Sequence, residues 1–235
     1  MPLNRRQREI LGEMGIPVWV RRDARPVFPA PVPQAPIETP VPEGDGGDVA
    51  GMGWEDLRAR VVACVACAEL ASHRTQTVFG VGDADADWLF IGEAPGAEED
   101  RRGEPFVGPA GQLLDNMLAA LALERGRKVY IANILKCRPP GNRDPKPEEA
   151  EACRGFLDRQ IALIRPRVIV ALGRVAAQNL LGSSEPLGRL RDREHSYQNI
   201  PLVVTYHPAY LLRSPGEKAK AWRDLLRARG LVATA

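Results

Sequence analysis

Trp88-Leu89-Phe90-Ile91-Gly92-Glu93-Ala94-Pro95-Gly96 is the stretch on which the fold turns: unbroken apolar residues, then a glycine-rich polar turn. A short continuous run bounded by glycine and proline is what a strand buried on both faces looks like, because a half-exposed strand would alternate. Three more runs repeat the pattern. Val129-Tyr130-Ile131-Ala132 leads into Asn133, with Lys136-Cys137-Arg138-Pro139-Pro140 just beyond. Val168-Ile169-Val170-Ala171-Leu172 stops at Gly173-Arg174, and Leu202-Val203-Val204-Thr205 stops at Tyr206-His207-Pro208. Helical spacing separates the runs, so the sheet of this α/β chain should be parallel. Open parallel sheets bind ligands outside the carboxyl ends of their strands. All four motifs are therefore expected at one crevice.

Between the strands, a helix from Gly111 carries Leu113, Met117 and Leu121 on one stripe with Leu114 and Leu118 beside it, the spacing of a core-facing helix. A second helix is predicted from about Pro147 through Cys153, Phe156 and Leu157, and a third from about Arg174 to Leu181. Ser214-Pro215-Gly216-Glu217 has a capping serine, a proline at the first helical position and a capping-box glutamate, so a last helix should start there and turn Trp222, Leu225 and Leu226 inward.

With 235 residues, 44% of them apolar, the chain can bury an ordinary globular core. A formal charge of +2 gives no bulk attraction for nucleic acid, so local basic clusters have to supply it. No run approaches the ~18 apolar residues of a membrane span. Met1-Pro2-Leu3-Asn4-Arg5-Arg6 is not followed by the apolar segment of a secretory signal, so a cytoplasmic location with reduced thiols is expected. Residues 24–53, with seven prolines and then Glu43-Gly44-Asp45-Gly46-Gly47-Asp48, have the composition of a linker. The folded domain is expected over 54–235. Residues 1–23 form an amphipathic arm with Ile10, Leu11, Met14, Ile16 and Trp19 among arginines, suited either to docking on a partner or to packing on the chain's own domain.

The four cysteines are Cys64, Cys67, Cys137 and Cys153, with one C-x-x-C pair among them. In a reducing compartment such a set points to metal, and the spacing leaves zinc and an iron–sulfur cluster both open. Glu93, Glu99 and Asp100 lie in or just past the first glycine-rich turn, where carboxylates can position a water or stand solvated. That turn is no phosphate loop: it lacks Gly-Lys-Ser/Thr, and Glu93 would repel phosphate. Phe106, between proline and glycine on a loop, can offer its ring face to a flat ligand. Asn133 at a strand end donates and accepts at once, as the edge of a pyrimidine base requires. His207 ends the last strand beside Tyr210, Leu211, Leu212 and Arg213, apolar tips next to a cation that suit insertion into a nucleic-acid duplex. Arg101, Arg102, Lys136, Arg138, Arg143 and Arg174 add candidate phosphate contacts around the crevice.

Taken together, Gly92–Asp100, Pro105-Phe106-Val107-Gly108, Asn133-Ile134-Leu135-Lys136-Cys137-Arg138-Pro139-Pro140 and His207-Pro208-Ala209-Tyr210-Leu211-Leu212 resemble the family 4, iron–sulfur uracil-DNA glycosylases, in order and with all four cysteines in place. The resemblance covers roughly residues 54–230. It implies a three-layer α/β/α sandwich around a four-stranded parallel sheet, and a [4Fe–4S] cluster on Cys64, Cys67, Cys137 and Cys153. It implies release of uracil from single- and double-stranded DNA by a monomeric DNA-repair enzyme. Glu93, Ala94 and Pro95 would line the uracil pocket, with Glu93 also among the catalytic group. Phe106 would stack on the flipped base, Asn133 read its O4/N3 edge and His207 bond O2. Glu99 is the candidate for excluding a C5 methyl. Arg138, Tyr210, Leu211 and Arg213 would touch DNA, with Pro208–Pro215 as a loop in the minor groove. Ala94 stands where family 1 enzymes carry an aspartate base, so water activation cannot be copied from them. Leu190–His195 lacks the Lys-Arg-Arg-Ile-His loop of a covalently trapping relative, so turnover is expected. The arm resembles the N-terminal peptide of the psi subunit of the bacterial clamp loader, which implies tethering to the chi subunit. A catalytically quiet adaptor binding DNA or replication proteins on the same fold is the alternative.

Overall fold

The strands form where the apolar runs predict them, and every residue of the three central ones is buried. The computed structural model describes residues 49–234. In chain order these are α1 (Trp54–Val62), α2 (Ala68–His73), β1 (Val81–Gly82), β2 (Trp88–Gly92), α3 (Ala97–Arg102), α4 (Pro109–Ala120) and β3 (Val129–Asn133). A 3₁₀ turn (Pro140–Asn142), α5 (Pro147–Ile164), β4 (Val168–Leu172), α6 (Arg174–Leu181), α7 (Leu187–Arg191), β5 (His195–Tyr197) and β6 (Ile200–Thr205) follow. The helix α8 (Pro208–Arg213), a second 3₁₀ turn (Pro215–Glu217) and α9 (Lys218–Thr234) complete the described chain. The arm expected at 1–23 and most of the linker expected at 24–53 lie outside the described residues. Within the linker's last residues, Val49 is buried against Leu57 and Phe156, and the Met52 carbonyl accepts from Arg159 Nε at 2.7 Å, so packing begins ahead of Trp54.

The sheet runs β1-β3-β2-β4-β6-β5. Its four middle strands are parallel, as expected, and two short antiparallel edge strands, β1 on β3 and β5 on β6, extend it to six. Those edge strands have no continuous apolar run, which is why the pattern does not announce them. Alternate residues go to opposite faces. Leu89, Ile91, Tyr130, Ala132, Ile169, Ala171 and Val204 pack on Leu157 and Ile161 of α5, Ala177 of α6 and Leu190 of α7. Trp88, Phe90, Val129, Ile131, Val170 and Val203 pack on Leu114 and Leu118 of α4 and Leu225 and Ala228 of α9. The architecture is a three-layer sandwich. Each fully buried Leu or Ile contributes ~1.5–3 kcal/mol, so these two layers dominate its stability.

Two helix expectations shift by a fraction of a turn. On α4 the buried face is Gly111, Leu114 and Leu118, while Leu113 and Met117 are only partly covered, bordering a groove with Trp222. On α9, Ala221, Leu225 and Ala228 are buried, with Trp222 and Leu226 at the margin. Ser214 makes no side-chain cap, because a 3₁₀ turn intervenes before the helix. Asp224 goes inward with them: Arg191 grips it through Nε and Nη2 at 2.8 and 2.9 Å, and Thr205 Oγ1 donates to it at 2.8 Å. That buried pair ties α7 and α9 to the end of β6, two residues before His207.

β2 is the first central strand. The chain then moves one way to β3 and crosses back over β2 to reach β4. Loops leaving neighbouring strands diverge at such a reversal, opening a crevice at their carboxyl ends.

Candidate active site and thiol cavity

A cleft of about 480 Å³ opens at those carboxyl ends and is bordered by Glu93, Ala94, Pro95, Glu99, Phe106, Asn133, His207, Tyr210 and Arg213. These residues come from separate motifs of the sequence, and the fold brings them to one place. Asn142 and Asp144 border it too. They belong to the Gly141-Asn142-Arg143-Asp144 run, whose polarity just after two prolines was the available signal. A larger hollow of about 560 Å³ between α5 and α6 shares Asp144 with the cleft, but none of Phe106, Asn133 and His207 reaches it.

The floor is built by close approach. Gly92 ends β2 opposite Asn133 of β3, and a Cβ there would come within 2.4 Å of Asn133 Oδ1 and 2.6 Å of Phe106 Cζ. Only glycine lets both side chains reach the floor. Asn133 is 2% exposed and its Oδ1 has no hydrogen-bond partner among the described residues. An orphaned buried acceptor costs ~1–3 kcal/mol, a debt that a ligand N–H placed there would cancel.

Phe106 sits at φ +56°, a left-handed conformation that costs a non-glycine residue ~1–3 kcal/mol and needs support from its surroundings. Arg125 supplies part of it, donating to the carbonyls of Pro105 at 2.8 Å and Phe106 at 2.9 Å while paired with Asp115 at 2.8 Å. Nothing in the sequence marked Arg125. Gly111 closes the other side, where a Cβ would fall 1.7 Å from the Phe106 carbonyl oxygen. Glu99 has a second task besides bordering the cleft. Its Oε1 accepts from Val107 N at 2.9 Å and Gly108 N at 3.3 Å, and its Oε2 from Gly96 N at 3.1 Å. With both oxygens bonded to backbone, it binds the first turn to the Phe106 loop and is itself held in place at the cleft border. Asp100 likewise turns inward and accepts from Thr75 N at 2.9 Å.

His207 caps α8, with Nδ1 accepting from Ala209 N at 3.1 Å. An accepting Nδ1 leaves the ring hydrogen on Nε2. Burial, then the charge of Arg213, pulls its pKa down to about 4 against the opposing pull of Glu99, so the ring is neutral across the working pH range. Its plane lies 29° from that of Phe106, centroids 5.4 Å apart. Opposite, burial pushes Glu93 up to about 7, assisted by Asp144, while Arg174 opposes. Arg174 itself pairs with Asp144 at 2.7 Å. Glu93 therefore changes charge near neutrality.

The outer rim departs further from expectation. Pro208–Arg213 is a helix rather than a loop. Tyr210 and Leu212 are exposed at 39% and 44%, whereas Leu211 is 1% exposed and packs inward, so Leu212 takes the surface role expected of Leu211. The helical turn carries adjacent residues to different faces, which an extended-loop reading misses. Arg138 does not border the cleft; its Nε donates to Asn142 Oδ1 at 2.7 Å. Lys136 is 1% exposed and unavailable to phosphate. Arg143 is engaged by Glu149 and Glu69, and Arg101 by Glu98. His195, the one histidine of the Leu190–His195 segment, has its Nε2 2.8 Å from the Leu190 carbonyl.

Cys64, Cys67, Cys137 and Cys153 border one small cavity together with Arg74, Lys136, Val61, Leu70 and Phe156. Burial raises the thiols of Cys67 and Cys137 and pushes Cys153 up to about 12, so they ionise only against added positive charge. Arg74 Nη1 donates to Cys137 Sγ at 2.9 Å, and Lys136 N to Cys153 Sγ at 3.3 Å. Among the described residues no three His, Cys, Asp or Glu side chains are gathered as a site for one metal ion. The donor set, four thiols with no carboxylate in the cavity wall, suits a thiophilic group.

The family model of the uracil DNA glycosylase superfamily matches residues 79–226, the span from just ahead of β1 into α9. A type-4 uracil-DNA glycosylase of Archaeoglobus fulgidus is 45% identical over 169 residues, covering 68% of this chain and 84% of the relative. One from Thermotoga maritima is 41% identical over 182 residues, covering 76% and 94%. A type-5 uracil-DNA glycosylase of Pyrobaculum aerophilum is more distant, at 33% over 192 residues. The matched span carries the floor, the stacking ring and the neutral histidine alike, and the chain belongs to the uracil-DNA glycosylase superfamily, among its type-4 members.

Proposed function

We propose that this protein hydrolyses the N-glycosidic bond of deoxyuridine in DNA, releasing uracil and leaving an abasic site. The observation that carries the reading is the pairing of an orphaned acceptor, Asn133 Oδ1, with the aromatic face of Phe106 and the Nε2–H of a neutral His207 around one cleft. Uracil presents an N3–H donor and an O4 acceptor on one edge, which Asn133 can meet with Oδ1 and Nδ2. Cytosine has no hydrogen on N3 and a donor at C4, so the same amide orientation rejects it. Stacking on Phe106 adds ~1–3 kcal/mol.

The base must leave the helix to enter, at a cost lowest where it is mispaired, as in U·G. In the pocket the C1′–N1 bond breaks and its electron pair goes to the ring, leaving an oxocarbenium sugar and a uracil anion. Charge collects on O2 as the bond breaks, and the His207 Nε2–H opposes that charge more strongly in the transition state than in the ground state. Water adds to C1′ and gives its proton to the carboxylate of Glu93, whose burial, assisted by Asp144, holds it near the pKa this transfer needs. Ala94 and Pro95 shape the wall, and Tyr210, Leu212 and Arg213 face the strand.

The four thiols would hold a [4Fe–4S] cluster through Cys64, Cys67, Cys137 and Cys153; when bound, it cross-links α1, α2, the β3 end and α5. Its role is structural, since Cys137 lies four residues beyond Asn133 in sequence. Residues 1–23 would dock on the clamp-loader chi subunit, a reading that unchanged chi binding by a chain lacking them would remove. For the active site, His207→Gln should fold normally and lose activity on a uracil-containing oligonucleotide by ~10²-fold or more, the cost typical of one oxyanion donor. A rate within threefold of wild type would remove His207 from the mechanism.

A further inference from the structure

Lys136 stands out because it is a fully buried cation that neither the base pocket nor the DNA surface uses. Its ammonium donates to the Asn133 carbonyl at 3.0 Å and to Gln160 Oε1 at 2.6 Å. Gln160, 0% exposed, spends its own amide on the Phe79 carbonyl at 2.9 Å. These acceptors are neutral. Lys136 borders the cavity that all four thiols share, and its own backbone N–H donates to Cys153 Sγ at 3.3 Å, so the thiol set is the nearest source of counter-charge among the described residues that line that cavity. Four thiolates around a dicationic core carry two net negative charges, and the cavity wall holds two cations, Lys136 and Arg74.

We infer that Lys136 is a positioning residue that couples the thiol-bound group to base reading: its ammonium, with Arg74, balances the charge of that group and at the same time pins the backbone carbonyl of Asn133. This rests on the cofactor reading above. A buried ammonium is tolerable only beside its counter-charge, so the strand end that presents Asn133 is secured when the thiol set is loaded. Arg74 differs in reach. It bonds Cys137 Sγ and the Cys64 carbonyl at 2.7 Å, with no contact to Asn133, so it serves the charge balance alone.

The test compares Lys136→Met, which keeps the stem and removes the charge, with Arg74→Gln and wild type, as purified full-length chains. Both variants should shift the cluster's reduction potential downward by voltammetry and shed iron on gel filtration that wild type retains, because a lost cation disfavours the more negative state. Only Lys136→Met should also lower kcat for uracil excision, by about tenfold, with KM moved far less. Wild-type potential together with wild-type kcat in Lys136→Met overturns the inference. Wild-type protein without iron would instead fail the cofactor reading and take this inference with it, whereas uracil left in place by iron-loaded wild type would fail only the activity. Should Lys136→Met not fold, Gln160→Met carries the test: removing one acceptor of the ammonium should lower kcat with iron retained, and an unchanged kcat contradicts the coupling.

Discussion

Replacing Asn133 by leucine should make the protein more stable and nearly inactive. The side chain is 2% exposed, and its Oδ1 finds no partner between Gly92 and Phe106. That orphaned acceptor costs the free protein ~1–3 kcal/mol, and leucine, of similar size and shape, removes it. Allowing for imperfect packing of the branched methyls, a gain of about 1 kcal/mol is expected, or ~2–4 °C in Tm for a domain of this size. Activity moves the other way. The variant loses two hydrogen bonds to the base and leaves its N3–H and O4 unpaired inside the pocket, together ~3–4 kcal/mol of transition-state binding. Tenfold in rate corresponds to ~1.4 kcal/mol, so kcat/KM should fall by ~10²–10³. Urea unfolding gives the stability, and gel assay of abasic-site formation in a uracil-containing strand gives the rate. A destabilised variant would show that the acceptor is satisfied in the native protein. A variant within tenfold of wild type would show that Asn133 does not read the base.

Arg125 does not line the cleft, yet Arg125→Met should lower excision by about tenfold, because the φ +56° backbone of Phe106 loses the two carbonyl contacts that hold it; single-turnover rates check this. With Glu93 raised to about 7, its carboxylate is ionised above that pH, so kcat/KM should climb through neutrality and level off on the alkaline side. His207, held near 4, adds no inflection in that range, and Glu93→Gln should give a flat, low profile; a surviving inflection in that variant would assign the limb elsewhere. Leu211→Ala should cost ~2–5 kcal/mol of stability as a buried cavity, whereas Leu212→Ala should change stability by no more than ~0.5 kcal/mol. The Leu212 variant should slow excision from duplex more than from single strands, where no base has to be extruded.

The sheet was legible because burial on both faces leaves an unmistakable trace: Trp88–Ile91, Val129–Ala132 and Val168–Leu172 form strands as read. The edge strands Val81–Gly82 and His195–Tyr197 were not, since half-covered pairs of two or three residues have no periodicity to detect. In the site, residues placed by strand ends were found from sequence, because the carboxyl edge of a parallel sheet fixes where Asn133 and His207 must be. What escaped depended on side chains travelling far from their own segment. Arg125 reaches back to Pro105 and Phe106, Lys136 turns into the core instead of toward phosphate, and Glu99 spends its carboxylate on three backbone donors. Leu211 turns inward while Leu212 stays at the surface for a simpler reason: the six residues Pro208–Arg213, which look like a loop in sequence, wind into a helix.

The most direct measurement is mass-spectrometric detection of the free base from an oligonucleotide carrying one deoxyuridine, incubated with purified wild-type chain in the presence of EDTA and beside a thymidine control. Stoichiometric uracil from the first strand and no thymine from the second is the expected result. An intact deoxyuridine strand, with protein that is folded and iron-loaded, would contradict the assignment of this cleft to base excision.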